Sequence, residues 1–373
     1  MDRKTKRELF TRYSIAVHNA PIGALNEITD WESVKANDVF DMSDSIEGQE
    51  RMCRSTIEKF IQDVGTERVQ LFLDISPNFD EPGPLPKKDL DDSRQFLRRH
   101  NRDMAWSTVI HFEKLPFQWS LLGTESAVST CHVDASGLAT YVECAIGEKL
   151  WFIAQGDWES IPDGETGWDV RRLKFQCIHL KPGIRLYMKP AQPHFVITLN
   201  DSLAMGAHFY SAVTYADTLR GLAVEHYAGK LVTNTEHTTT PLFLFKLLDA
   251  HLEAWRGRKE KAVDDRFPSY KELAALFLCV EYMNELDPEV PGDKYELRWQ
   301  SRTEFPLDYE YAKGLMVSFC GLLRAENDEE VRRVMIEEEE TFQTFLVKLN
   351  ACTNRKDRHL QIEPRNVLRS LLG

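Results

Sequence analysis

The sequence predicts an α+β protein: a jelly roll of antiparallel strands, preceded by N-terminal helices and followed by a C-terminal helical domain. Three observations carry this expectation. Between residues 126 and 210, short apolar segments alternate with turn residues, the rhythm of an antiparallel sandwich or jelly roll. Beyond about residue 240 the apolar spacing becomes helical. Residues 1–65 also read as mostly helical. The boundaries drawn are 1–65, 66–235 and 240–373.

In chain order, Ile57, Phe60, Ile61 and Val64 have the spacing of a packing helix. Val69, Leu71, Leu73 and Ile75 give a strand with one apolar face. Pro77, Pro82, Gly83, Pro84 and Pro86 mark a loop, read as a surface linker in preference to a rim around a site. A short polar helix over 90–101 follows, then strands at Trp106–Phe112 and Trp119–Leu122. His111 reads as a structural histidine within an apolar strand. Further strands are expected at Ala139–Ala145, Lys149–Ile153, Phe175–Leu180, Arg185–Met188, Phe195–Leu199 and Leu203–Tyr210. Turn residues Gly147-Glu148, Lys181-Pro182-Gly183 and Asn200-Asp201 separate several of them. The polar stretch Gln155–Val170 is a loop; its Trp158 and Trp168 either contact a substrate or pack the loop down. Helical faces follow: Leu244, Leu247, Leu248, Leu252 and Trp255, then Leu273, Leu276, Phe277, Val280 and Met283. Leu315, Phe319 and Leu322 continue the pattern, as do Val331, Val334, Met335, Phe342, Phe345 and Leu349. The run Glu337–Glu340 reads as a solvated helical face.

The chemistry lies between Ser129 and Phe209. Residues i and i+2 of a strand point to one side, so His132 and Asp134 can ligate one ion from a single strand end. His194 would join from a distant strand. Two histidines and a carboxylate form the facial ligand set of non-haem ferrous sites, with positions left open for small ligands. Lys149 follows a Gly147-Glu148 turn and is placed to hold the far carboxylate of a dicarboxylate chelating the metal. A His-X-Asp alone more often marks a surface turn; the full constellation is the stronger signal. Cys131 adjoins His132 but should face the other side of the strand, where it packs.

The text CHVDASGLATYVECAIGEKLWFIA, followed by LKPGIRLYMKPAQPHFVITLNDSLAMGAHF, resembles the JmjC family of cupin-like iron- and 2-oxoglutarate-dependent oxygenases. His-X-Asp, Gly-Glu-Lys with an aromatic after it, Leu-X-X-Gly, a Pro before the second histidine, and Asp-Ser-Leu-Ala-X-Gly occur in order. The resemblance implies a double-stranded β-helix in which His132, Asp134 and His194 bind Fe(II). It also implies that Lys149 binds 2-oxoglutarate and that dioxygen is the oxidant. The family often has Thr where Ser129 stands; the hydroxyl is kept, so Ser129 is a candidate cosubstrate contact. It tends to have Asn where His208 stands, so His208 is expected beside the metal or just behind its ligands. Such enzymes hydroxylate protein side chains or remove methyl groups from lysine. The implied partner is therefore a protein or peptide, histones included.

Composition narrows the alternatives. No stretch reaches 18 apolar residues, so no membrane span is expected. The basic start Met1–Arg7 lacks the apolar core of a secretory signal and reads as a solvated helix start in preference to a nuclear address. Seven cysteines, without Cys-X-X-Cys, indicate reduced thiols and a nuclear or cytoplasmic protein. A net charge of −13 disfavours direct nucleic-acid binding. The rival readings are a non-catalytic scaffold of the same fold and a metal cupin of other chemistry. The helical tail is expected to cover the barrel, with a homodimer interface as the alternative.

Overall fold

A computed structural model of the chain describes residues 3–18, 37–41, 51–75, 90–92, 118–155, 168–228, 232–233, 240–256, 267–282, 305–326, 328–352 and 361–373. Two antiparallel sheets and a set of helices make up these residues. The strands are β1 (Ile15–His18), β2 (Asn37–Asp41), β3 (Arg51–Ser55), β4 (Gln70–Ile75), β5 (Gln118–Gly123) and β6 (Val128–His132). They continue as β7 (Ala139–Ile146), β8 (Lys149–Gln155), β9 (Lys174–Leu180), β10 (Ile184–Met188), β11 (His194–Thr198) and β12 (Ser202–Phe209). The larger sheet has the order β1-β10-β7-β12-β5-β4-β2-β3, and the smaller β6-β11-β8-β9. From β5 to β12 the chain crosses repeatedly between the two sheets. Their facing surfaces share one core: Trp119, Val142, Cys144 and Ala204 from the larger, Trp151, Ile153 and Val196 from the smaller.

The helices are α1 (Arg3–Phe10), α2 (Ile57–Asp63), α3 (Tyr215–Ala228), α4 (Thr240–Arg256), α5 (Tyr270–Glu281), α6 (Phe305–Ala325), α7 (Glu329–Cys352) and α8 (Val367–Leu372). The last six build a second core around Leu219, Phe243, Leu247, Phe277, Phe319 and Phe342. That core also takes in Val133, Leu138 and Tyr210 from the β region. The boundary near residue 240 thus marks a change of periodicity, while the packing runs across it. No helix of the described residues is long and apolar enough to cross a membrane.

Several expectations need correction. Among the described residues of 1–65 the helices α1 and α2 are joined by strands the sequence did not reveal: β1, β2 and β3, which extend both ends of the larger sheet. In α2, Ile57 and Phe60 are buried while Ile61, and Val64 just past the helix end, are exposed. β4 buries both of its faces at Gln70, Leu71 and Phe72, so it is not one-sided. The basic start is not wholly solvated. Arg7 is buried and gives both oxygens of buried Asp92 a 2.8 Å hydrogen bond from Nη1. Nor is Glu337–Glu340 a solvated face, because Glu338 and Glu339 are buried. Glu339 accepts the backbone N–H groups of Leu368 and Arg369 at 2.7 and 2.9 Å, satisfying the free donors at the start of α8. The helix expected over 90–101 is described only at 90–92, which are not helical; its remainder, the proline loop, the strand at 106–112 with His111, Met283 and Trp158 lie outside the described residues. Trp168 is buried in the helical core, as the packing alternative has it.

Candidate metal centre

Strand pairing assembles the site. β11 pairs antiparallel with β6 so that His194 stands opposite His132. The next pair is Val196 with Ser129, two residues along β11 but three along β6. The extra residue is a β-bulge, which shifts the alternation of side chains by one. Ser129 and His132 therefore share a face although they are three apart. That face is the one His194 and Val196 bury. Cys131 lies against the helical core, as expected of a packing residue.

His132, Asp134 and His194 present ligand atoms that all lie within 4.8 Å of one another. Their imidazoles approach to 4.2 Å between ring centroids. Each histidine is oriented by a backbone carbonyl two residues earlier. His132 Nδ1 donates to Thr130 O at 2.7 Å, and His194 Nδ1 donates to Gln192 O at 2.9 Å. With the proton on Nδ1, each Nε2 keeps its lone pair for a metal. The Trp151 indole stacks on His194, with centroids 5.7 Å apart and planes 13° apart. Burial, reinforced by the neighbouring His194, pushes His132 down to about 4, so it is a neutral ligand at pH 7. Burial works to raise the Asp134 carboxyl. The surrounding imidazoles, His194 foremost, and the Thr140 hydroxyl outweigh it and hold the group below the usual carboxylate range. Two imidazoles and one carboxylate suit a divalent transition metal, iron included.

The loop that carries Asp134 is held from the helical side. Asp134 precedes a 3-10 turn, Ala135–Gly137, in which Ser136 and Gly137 both have φ of +60°. A Cβ on Gly137 would lie 2.4 Å from the Thr218 carbonyl of α3, so only glycine permits this approach. Thr218 Oγ1 donates to Gly137 O at 2.8 Å, and Tyr210 Oη donates to Ser136 O at 2.9 Å. The Ser136 N–H donates to Glu225 of α3 at 2.5 Å, and the Val133 N–H donates to Val232 O at 2.7 Å. Sequence reasoning did not identify α3 or its role. Its strongest clue was the small residue Gly221, which packs 3.0 Å from the Gly137 Cα when given a Cβ.

Lys149, Trp151 and Ile153 alternate on the buried face of β8 and pair with Thr198, Val196 and His194 of β11. Lys149 is thus on the inner face, 1% exposed. Its Nζ donates to Thr198 Oγ1 at 2.8 Å. Among the described residues no carboxylate pairs with it. Burial pushes its pKa down to about 8, partly offset by the nearby Cys144.

His208 stands one step behind the triad and reaches it through Thr140. Its Nδ1 lies 2.8 Å from Thr140 Oγ1, which in turn lies 2.5 Å from Asp134 Oδ2. Trp119 Nε1 donates to His208 Nε2 at 3.0 Å. A Cβ on Gly206 would fall 2.3 Å from the Trp119 ring, so glycine there lets the indole lie across β12. Thr140, Trp119 and Thr198 were not singled out by sequence reasoning, since each acquires its place only from cross-strand register. No model of a known protein family matches this chain, and no curated protein matches it.

Proposed function

We propose that this chain is an Fe(II)- and 2-oxoglutarate-dependent oxygenase of the JmjC kind, its two sheets forming a double-stranded β-helix. Its substrate is a protein or peptide, hydroxylated on a side chain or on a lysine N-methyl group. The observation that carries the reading is Lys149. A fully buried ammonium whose partner among the described residues is a neutral hydroxyl lacks the anion that would offset its desolvation. It belongs to the same inner face as the triad, which is where a dicarboxylate with one end on the metal would place its other end.

When bound, ferrous iron with 2-oxoglutarate and dioxygen supplies oxidation of a substrate C–H bond, coupled to decarboxylation to succinate. The protein supplies the rest. His132 and His194 offer Nε2 atoms already oriented by carbonyls, and Asp134 offers a carboxylate anchored by Thr140. Lys149 and the Thr198 hydroxyl receive the distal carboxylate by charge-assisted hydrogen bonds. The Ser129 hydroxyl, brought to the inner face by the bulge, is a further donor to the cosubstrate. Trp151, packed on His194, keeps water from that side of the ligand.

The test is succinate formation from 2-oxoglutarate by purified protein with and without ferrous iron, run on wild type, His194→Ala and Lys149→Ala. Iron-dependent turnover lost in both variants supports the proposal. Turnover absent from wild type, or equal in all three proteins, removes it.

A further inference from the structure

We infer that Trp119, His208 and Thr140 form a positioning relay that fixes Asp134 as a one-oxygen metal ligand. This rests on the metal-binding reading above and goes beyond it to residues outside the triad itself. The direction of every hydrogen bond in the relay follows from one fact: an indole N–H only donates. Trp119 Nε1 faces His208 Nε2 at 3.0 Å, so Nε2 is the acceptor and carries no proton. His208 is then the neutral tautomer protonated on Nδ1. That N–H donates to Thr140 Oγ1 at 2.8 Å. With its lone pair used, the Thr140 hydroxyl turns its own hydrogen toward Asp134 Oδ2, 2.5 Å away. Oδ2 is thereby occupied, and Oδ1 is left for the ion.

The relay is built into the larger sheet. Thr140 and His208 are cross-strand partners on β7 and β12, and Trp119 on β5 is the partner of Gly206. His208, Trp119 and Thr140 are all buried. Gly206 is what allows the indole to reach His208. An aspartate held in this way cannot swing to chelate through both oxygens, so the third ligand takes one coordination position and others stay open for small ligands. The histidine at position 208 is therefore a means of setting the Asp134 carboxylate from a distance.

The test uses the full chain with three substitutions and two readouts. The first readout is 15N NMR of the histidine rings in metal-free protein. Wild type should show His208 protonated on Nδ1, and Trp119→Phe, which keeps the ring but removes the N–H, should shift His208 toward the Nε2–H tautomer. The second is Mn(II) and Co(II) affinity by calorimetry. Thr140→Val should weaken binding by about 10–100-fold, the usual scale for losing a group that orients a ligand, and Thr140→Ser should restore it to within about threefold. Wild-type affinity in Thr140→Val overturns the relay and leaves the metal reading standing. So does an Nε2–H tautomer in wild type. A wild-type protein that binds neither ion overturns both readings.

Discussion

Replacing Lys149 by Met keeps an unbranched chain of similar length and removes the charge. The variant should gain stability and lose cosubstrate. The drop in pKa from 10.5 to about 8 corresponds to a penalty on the buried charged form of roughly 3 kcal/mol. The lost hydrogen bond to Thr198 offsets about 1 kcal/mol of the gain. The ligand-free variant should therefore be more stable than wild type at pH 7 by about 2 kcal/mol. The pH dependence follows from linkage. Between about pH 8 and 10.5 the unfolded lysine holds its proton and the folded one does not, so the unfolded chain binds more protons. Wild-type stability then gains from this group as pH rises through that window, whereas the methionine variant has no such gain. The variant's advantage should shrink steadily toward pH 10.5. Denaturant unfolding of both proteins at several pH values measures this, and other titrating groups cancel in the difference. The same substitution should cost 2-oxoglutarate roughly 2–5 kcal/mol of binding, about 30-fold to a few thousand-fold, with metal affinity largely kept. A variant less stable than wild type at pH 7, or an advantage that does not change with pH, would refute the buried unpaired ammonium. Unchanged 2-oxoglutarate affinity under anaerobic conditions would remove Lys149 from the site.

Three further outcomes are expected. His132→Ala and Asp134→Ala should each abolish tight ferrous binding, because two ligands leave no facial set; metal analysis of purified variants showing undiminished iron would sink the triad. Gly206→Ala should destabilise by about 1–3 kcal/mol, as overpacking forces the Trp119 ring aside, and a variant with the wild-type denaturation midpoint would contradict the close approach. Truncation after about residue 240 should give aggregated protein, since it strips the apolar partners of Leu219, Leu222 and Val224 on α3. A soluble, cooperatively folding truncation would show that the β region stands alone.

The triad was legible because its chemistry is local. His132 and Asp134 lie two residues apart at a strand end, and the second histidine follows Pro193 directly at the start of a strand. Strands β5 and β7–β12 were legible too, because alternation and turn residues are local signals. What was hidden depends on register. Simple alternation puts Ser129 and His132 on opposite faces, and only the bulge reverses that. Thr140 looks like any strand threonine until β12 brings His208 beside it. Glu338 and Glu339 lie in a charge run that reads as solvent-facing; Glu339 is buried where it caps α8 and Glu338 where it meets Lys271 of α5, both contacts between residues far apart in sequence. β2 and β3 were missed because Asn-Asp-Val-Phe-Asp and Arg-Met-Cys-Arg-Ser carry too few apolar residues to alternate visibly.

The helical domain is more than a cover. Two of the three candidate ligands, His132 and His194, stand at paired positions of a strand ladder. Asp134 does not: it lies just past the end of β6, where no ladder hydrogen bonds hold the chain. Its loop would be free to move but for the contacts from Thr218, Glu225 and Val232, together with the Tyr210 hydroxyl. α3, which provides the first two, is itself held by α5, where Glu272 accepts the Ala216 N–H at 2.8 Å. The carboxylate is thus positioned from two directions. The sheet fixes its oxygen through Thr140, and the helices fix its backbone. A facial metal site needs ligands placed to within a fraction of an ångström, and a carboxylate on an unsupported loop cannot provide that. The need to hold Asp134 gives a physical reason for the packing to run unbroken from the sheets into the helices.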